Sequence, residues 1–106
     1  MRERDYQARL IRIIKREFPG VIILKNDPNY QQGIPDLLIL YKNKWAALEV
    51  KVSETSRTRP NQEYYVDTMH EMSFASFIYP ENEDEVLDAL QRTFRTARNT
   101  RVSEPE

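Results

Sequence analysis

The stretch Gly33-Ile34-Pro35-Asp36-Leu37-Leu38-Ile39-Leu40-Tyr41-Lys42-Asn43-Lys44-Trp45-Ala46-Ala47-Leu48-Glu49-Val50-Lys51 decides the fold. Residues 36 to 42 form a nearly continuous apolar run, the pattern of a strand buried on both faces. Asn43, flanked by Lys42 and Lys44, centres a tight turn, and residues 45 to 52 return as a partner strand. Pro35 has a fixed φ and no N–H, so it sets the direction in which the chain enters the first strand. Side chains alternate along a strand, so Glu49 and Lys51 share one face with the small Ala47. Leu48, Val50 and Val52 then point to the core. The hairpin lays Asp36 beside Glu49, and the two carboxylates converge.

Outward from this hairpin, residues 3 to 18 read as a helix. Tyr6, Leu10, Ile13 and Ile14 recur at helical spacing, and Pro19-Gly20 ends the run. Val21 to Leu24 is β-branched and apolar, a short strand. Residues 26 to 35 are rich in turn formers and predict a loop. Residues 53 to 60 are polar, without regular pattern. A helix follows over 61 to 72 with Tyr65, Met69 and Met72 on one stripe. Phe74 to Tyr79 is a fourth strand, ended by Pro80. Residues 82 to 98 form the last helix, with Leu87, Leu90, Phe94 and Ala97 on its apolar side. The order α-β-β-β-α-β-α predicts an α/β fold: a mixed four-stranded sheet flanked by helices, in one domain over 1–98. Residues 99–106 are expected to form a flexible tail.

The bulk composition excludes several classes. The chain has 106 residues, 40% of them hydrophobic, which suits one modest core. It has no cysteine, so disulfide frameworks and thiolate zinc sites are out, and a reducing, intracellular (cytoplasmic) setting fits. No apolar run approaches the roughly 18 residues of a membrane span, and the charged first residues do not read as a secretory signal. Net charge is −1, so no overall basic field advertises a polyanionic partner. The charges are uneven, however. Arg2, Arg4, Arg9, Arg12, Lys15 and Arg16 crowd the first helix, while Glu81, Glu83, Asp84, Glu85 and Asp88 form an acidic block.

Asp36, Glu49 and Lys51 sit among Leu, Ile and Val, where charge is costly unless paired or bound. Two carboxylates with no useful His or Cys partner suit a hard cation such as Mg²⁺. Such an ion activates water and stabilises charge on a phosphoryl group, and a neighbouring lysine adds fixed positive charge. A lone Glu-x-Lys tripeptide is common and says little. The acid after Gly33-Ile34-Pro35, the apolar strand behind it and a hairpin partner ending in Glu49-Val50-Lys51 form a far more specific set.

This set resembles the PD-(D/E)XK nuclease superfamily, and within it the VRR-NUC branch of virus-type replication and repair nucleases, in its stand-alone, single-domain form. Glu3 followed by Gln7 is similar to that branch's acidic residue and glutamine, and Arg59-Pro60-Asn61-Gln62 to its glutamine at the start of the helix after the lysine. The resemblance covers residues 3 to 80. It implies a restriction-endonuclease-like core and a DNA endonuclease using Mg²⁺ or Mn²⁺. Asp36, Glu49 and the main-chain carbonyl of Val50 would be metal ligands, Lys51 and Gln62 catalytic, and Glu3 an outer metal ligand. It also implies branched DNA such as Holliday junctions as substrate, a homodimer, a place in DNA repair, and a viral or phage protein acting in its host.

Other residues carry softer expectations. Arg57 and Arg59 flank the polar segment after Lys51 and, with Lys25, are candidates for contacting DNA phosphates. Tyr30 and Tyr64 are candidates for stacking on an unpaired base. His70 is expected at the surface of its helix without a role. Arg92, Arg95, Arg98 and Arg101 line one side of the last helix as a solvated face, or as a dimer or DNA contact. Two alternatives stay open: a nuclease acting on linear DNA or RNA, and a non-catalytic nucleic-acid or protein-binding module on a nuclease-like fold.

Overall fold

The computed structural model describes the backbone of residues 1–103 and the side chains of residues 1–95. The elements follow the expected order: α1 (Glu3–Glu17), β1 (Ile22–Lys25), β2 (Leu37–Tyr41), β3 (Lys44–Val50), α2 (Pro60–Met72), β4 (Phe74–Ile78), a short 3₁₀ turn (Pro80–Asn82) and α3 (Glu83–Ser103). The helix α3 thus runs five residues past the end at 98 that its pattern predicts. Residues 104–106 of the expected tail, and the side chains of Ala97, Arg98 and Arg101, lie outside the described residues.

The four strands form one sheet in the order β1-β2-β3-β4. The first two pairings are antiparallel, with Leu37 opposite Leu48 and Leu38 opposite Ala47. The third is parallel, with Glu49 opposite Phe77, and α2 provides the crossover between β3 and β4. Alternation then divides the strand residues between two faces. Leu37, Ile39, Ala46, Leu48, Val50 and Ile78 face α1 and α3, where they pack with Tyr6, Leu10, Ile14, Leu90 and Phe94 into the main core. Ala47 and Ala75 face α2 and meet Val66, a much smaller cluster. The charge pattern of α1 suits its dipole, with Glu3 and Asp5 in the first turn and Lys15 and Arg16 in the last.

Several local expectations need correction. β2 is not buried on both faces: Leu37 and Ile39 are sealed, but Leu38 and Leu40 are half-buried. The reason is that α2 packs over β3 and β4, leaving Leu38 and Leu40 and the exposed Ile22 and Leu24 of β1 outside its cover. β3 ends at Val50, so Val52 falls beyond the ladder and is 36% exposed instead of joining the core. On α2 the buried residue is Val66, whereas Met72 is 69% exposed. The hairpin turn itself falls at Lys42 and Asn43, where it is expected, and Lys42 takes a positive φ of 56°. The polar segment after Lys51 is also organised. Ser53 Oγ accepts from the Thr55 N–H, Ser56 Oγ accepts from the Ser53 N–H, and Glu81 accepts from the Glu54 N–H, an ST-turn pinned to the 3₁₀ segment.

Candidate active site

Glu49 is the last residue but one of β3 and only 3% exposed. It lies on the α2 face because it alternates with Leu48 and Val50. Asp36 immediately precedes β2, and continuing the β2–β3 register by one pair sets it opposite Glu49. Its Oδ2 accepts the Val50 N–H at 3.0 Å, so the two strands' ends are stitched together by the acid itself. Lys51 follows at the point where β3 leaves the sheet. Its Nζ donates to the Arg57 carbonyl at 3.1 Å and to Gln62 Oε1 at 3.0 Å, and lies 3.7 Å from Glu49 Oε2.

Gln62 joins the acid to the base. Its Nε2 donates to Glu49 Oε2 at 3.0 Å while its Oε1 accepts from both Lys51 Nζ and the Arg59 backbone N–H. The amide's orientation is therefore set by what it serves: oxygen toward the ammonium, nitrogen toward the carboxylate. Position explains this role. Gln62 is the third residue of α2, where its side chain folds back to the residue before the helix as in a capping box.

The approach loop is held by contacts that no motif announces. Asn26 spans it from both sides: its backbone N–H donates to the Asp36 carbonyl at 2.9 Å and its Nδ2 to the Pro35 carbonyl at 2.7 Å. Gln31 Nε2 donates to the Tyr65 hydroxyl and ties the loop to α2. Gly33 has φ of +89°, and a Cβ built there would lie 2.7 Å from the Asn61 side chain. Only glycine accepts both that φ and that contact. A turn-rich run containing Gly33 is visible in the sequence, but its docking against Asn61 is not.

Electrostatics single out the carboxylates. Burial pushes the Glu49 carboxyl up to about 8; the neighbouring Asp36 and Glu3 push in the same direction, and Lys51 and, least of all, the Asp36 backbone N–H pull it back. Asp36 is raised by burial, with the Val50 N–H and Lys51 opposing. Glu3 is raised by burial and by Asp36, which places the start of α1 within electrostatic reach of the site. Glu49 Oε1 is buried and has no hydrogen-bond partner. A buried carboxylate oxygen without a donor is costly, and a hard cation is the partner whose chemistry fits it. Among the described residues no group of three or more His, Cys, Asp or Glu converges as a metal cage. The available donors are two carboxylates and nearby main-chain oxygens, which suits Mg²⁺, an ion that keeps several of its waters.

The other expected residues divide. Arg59 lines a cavity of about 250 Å³ together with Asp36, Glu49 and Gln62. Arg57 contributes its carbonyl to Lys51, while its side chain is exposed. Lys25 pairs with Leu37, so alternation turns it to the α1 face, away from the carboxylates. His70 is exposed as expected, yet its Nδ1 accepts the Ala75 N–H at 3.2 Å and its ring meets Phe74 edge-on. It tethers the turn between α2 and β4. Tyr64 is 61% exposed and packs edge-on to Tyr65. No helix of the described residues is long and apolar enough to cross a membrane. No family model, curated protein or solved structure matches the chain.

Proposed function

We propose that the chain is a metal-dependent endodeoxyribonuclease of the PD-(D/E)XK type, closest in design to the VRR-NUC branch. The observation that carries this reading is Glu49: a buried carboxylate with an unpartnered oxygen, set beside Asp36 and facing an already engaged lysine. A structural acid in such a place has no reason to lack donors. Mg²⁺ or Mn²⁺ held by Asp36, Glu49 and the Val50 carbonyl would supply an activated water and charge stabilisation at the scissile phosphate.

The chain's own residues then have distinct tasks. Lys51, fixed by the Arg57 carbonyl and Gln62, presents a preorganised positive charge to the phosphate or the attacking water. Gln62 keeps Lys51 from closing fully on Glu49. Arg59 offers a guanidinium on the cavity wall for a phosphate. Branched DNA and a homodimer belong to the same reading, since a four-way junction has two-fold symmetry and suits two related sites.

Calorimetric titration with Mg²⁺ and Mn²⁺, and cleavage of four-way, forked, linear duplex, single-stranded and RNA substrates, test it. The wild-type protein should cut branched DNA only with metal. Asp36→Ala, Glu49→Ala and Lys51→Ala should each lose about 10²–10³-fold in rate or more while remaining folded by circular dichroism. Unchanged cleavage by Glu49→Ala overturns the proposal.

A further inference from the structure

The cavity beside the carboxylates is walled on one side by the loop residues Asn29 and Gln32 and on the other by Asn61 and Arg59 at the start of α2. Its floor reaches Asp36 and Glu49. Besides Gln62, three primary amides therefore line a space that opens onto the proposed chemistry.

Asn26, Gln31, Gln62 and Asn82 all spend their side chains on the fold, donating or accepting at defined atoms. Among the described residues the side chains of Asn29, Gln32 and Asn61 make no hydrogen bond. Gln7 and Asn43 also carry amides that the fold does not engage, but they stand away from the cavity, whereas Asn29, Gln32 and Asn61 line it. Asn61 is also packed at close range against Gly33, which fixes where its amide stands. Each amide carries a donor pair and an acceptor, the complement of a nucleobase edge. At about 250 Å³ the space falls just under the roughly 300 Å³ at which sites for whole drug-sized ligands begin. It suits a single planar ring system, and Tyr30, 88% exposed between Asn29 and Gln32, puts an aromatic ring on the same loop.

We propose that this cavity receives one unpaired nucleobase, the one next to the scissile phosphate at the Asp36–Glu49 site. The inference rests on the nuclease reading and deepens it: it names the substrate as DNA with an unpaired nucleotide at the cut. A base inside a duplex is stacked and paired, and withdrawing it costs a few kcal/mol, least where pairing is already absent. Forks and flaps offer such a base at no such cost, whereas linear duplex and a fully paired four-way junction do not. Selectivity for forks and flaps then arises from the amide cavity, without any reading of duplex sequence.

A forked DNA carrying 2-aminopurine as its first unpaired nucleotide tests the pocket in EDTA, where no cutting occurs. Fluorescence should rise about twofold or more as the base leaves its stack, and Asn29→Ala/Gln32→Ala should abolish the rise and weaken fork binding about tenfold. In the second arm, with Mg²⁺, an abasic site in place of that nucleotide should slow cleavage about tenfold. A fork that binds without any fluorescence change, or an abasic fork cut as fast as the intact one, overturns the inference. If no DNA is cut with either metal the nuclease reading fails, and the fluorescence arm still decides the pocket. A fork that does not bind at all overturns both.

Discussion

Two glutamates are buried among the described residues, Glu49 at 3% and Glu83 at 8% exposed, and their surroundings are opposite. Glu83 opens α3 on the apolar α1/α3 side of the sheet. Its Oε1 accepts the Tyr6 hydroxyl and the Arg9 guanidinium, each at 2.9 Å. Burial and Glu83 together raise the Tyr6 hydroxyl well above its ordinary range, so it stays a donor. Glu49, on the α2 side, keeps one oxygen without any partner and shares its surroundings with two further acids. Burial of an acid is therefore not the mark of a site. The mark is an acid whose hydrogen-bonding capacity the fold leaves unmatched, because folding alone selects against that arrangement.

The pH dependence of stability should break the symmetry between the two most strongly. The Glu49 carboxyl is raised in the folded state, so the fold holds its proton more tightly than the unfolded chain does. The stability this contributes is fully present below the ordinary carboxylate value and is lost as pH rises toward about 8. Asp36 and Glu3 are raised as well and add in the same sense. Metal-free protein should thus lose on the order of 4 kcal/mol between pH 5 and 9, measured by urea unfolding. Glu49→Gln should flatten most of that slope and raise Tm at pH 8. A slope that persists in Glu49→Gln would assign it to other groups.

Glu83→Ala is the complementary test and should act through stability. It strands the Tyr6 hydroxyl in a fully buried position and removes an acid from the first turn of α3. Arg9 is 46% exposed and turns to water, so its share is small. The expected loss is about 2–3 kcal/mol, seen as a lowered Tm, with turnover per folded molecule retained. A Glu83→Ala protein of unchanged Tm would remove the distinction between a matched and an unmatched acid.

Much of this contrast was legible in the sequence on one side only. Period-four spacing marks Tyr6, Leu10 and Ile14, and all three are sealed in the core. The apolar run, turn and return strand predict the hairpin, and its register predicts that Asp36 meets Glu49. α2 was harder. It covers a patch of alanines, Ala47 and Ala75, and needs only Val66 to do so, so the larger Met72 misleads. Glu83 gave no signal as a buried acid, since its partners Tyr6 and Arg9 lie on the far end of the chain and only tertiary packing unites them. Asn26 is similar: a single amide in a turn-rich run, whose grip on Pro35 and Asp36 exists only once the loop closes. Periodicity reports faces of elements. It does not report single polar contacts between them.

Gln62 gives the smallest and most discriminating comparison. Among the described residues it is the one side chain that hydrogen-bonds both Glu49 and Lys51, and it binds them with opposite ends of one amide. Gln62→Ala removes a donor from Glu49, which leaves that acid still less matched, and lets Lys51 move the rest of the way from 3.7 Å toward Glu49 Oε2. A closed Lys51–Glu49 pair would compete with a cation for the carboxylate. The expected result is a metal affinity and a turnover lower by about tenfold, with a change in unfolding free energy within about 1 kcal/mol, because the new ion pair offsets the lost amide contacts. Gln62→Glu makes the same point with the sign reversed: its carboxylate still accepts from Lys51 but cannot donate to Glu49. Metal affinity should then rise while turnover falls. If Gln62→Ala loses turnover with metal affinity intact, the amide acts on the substrate or the water, and spacing of Lys51 from Glu49 is not its task.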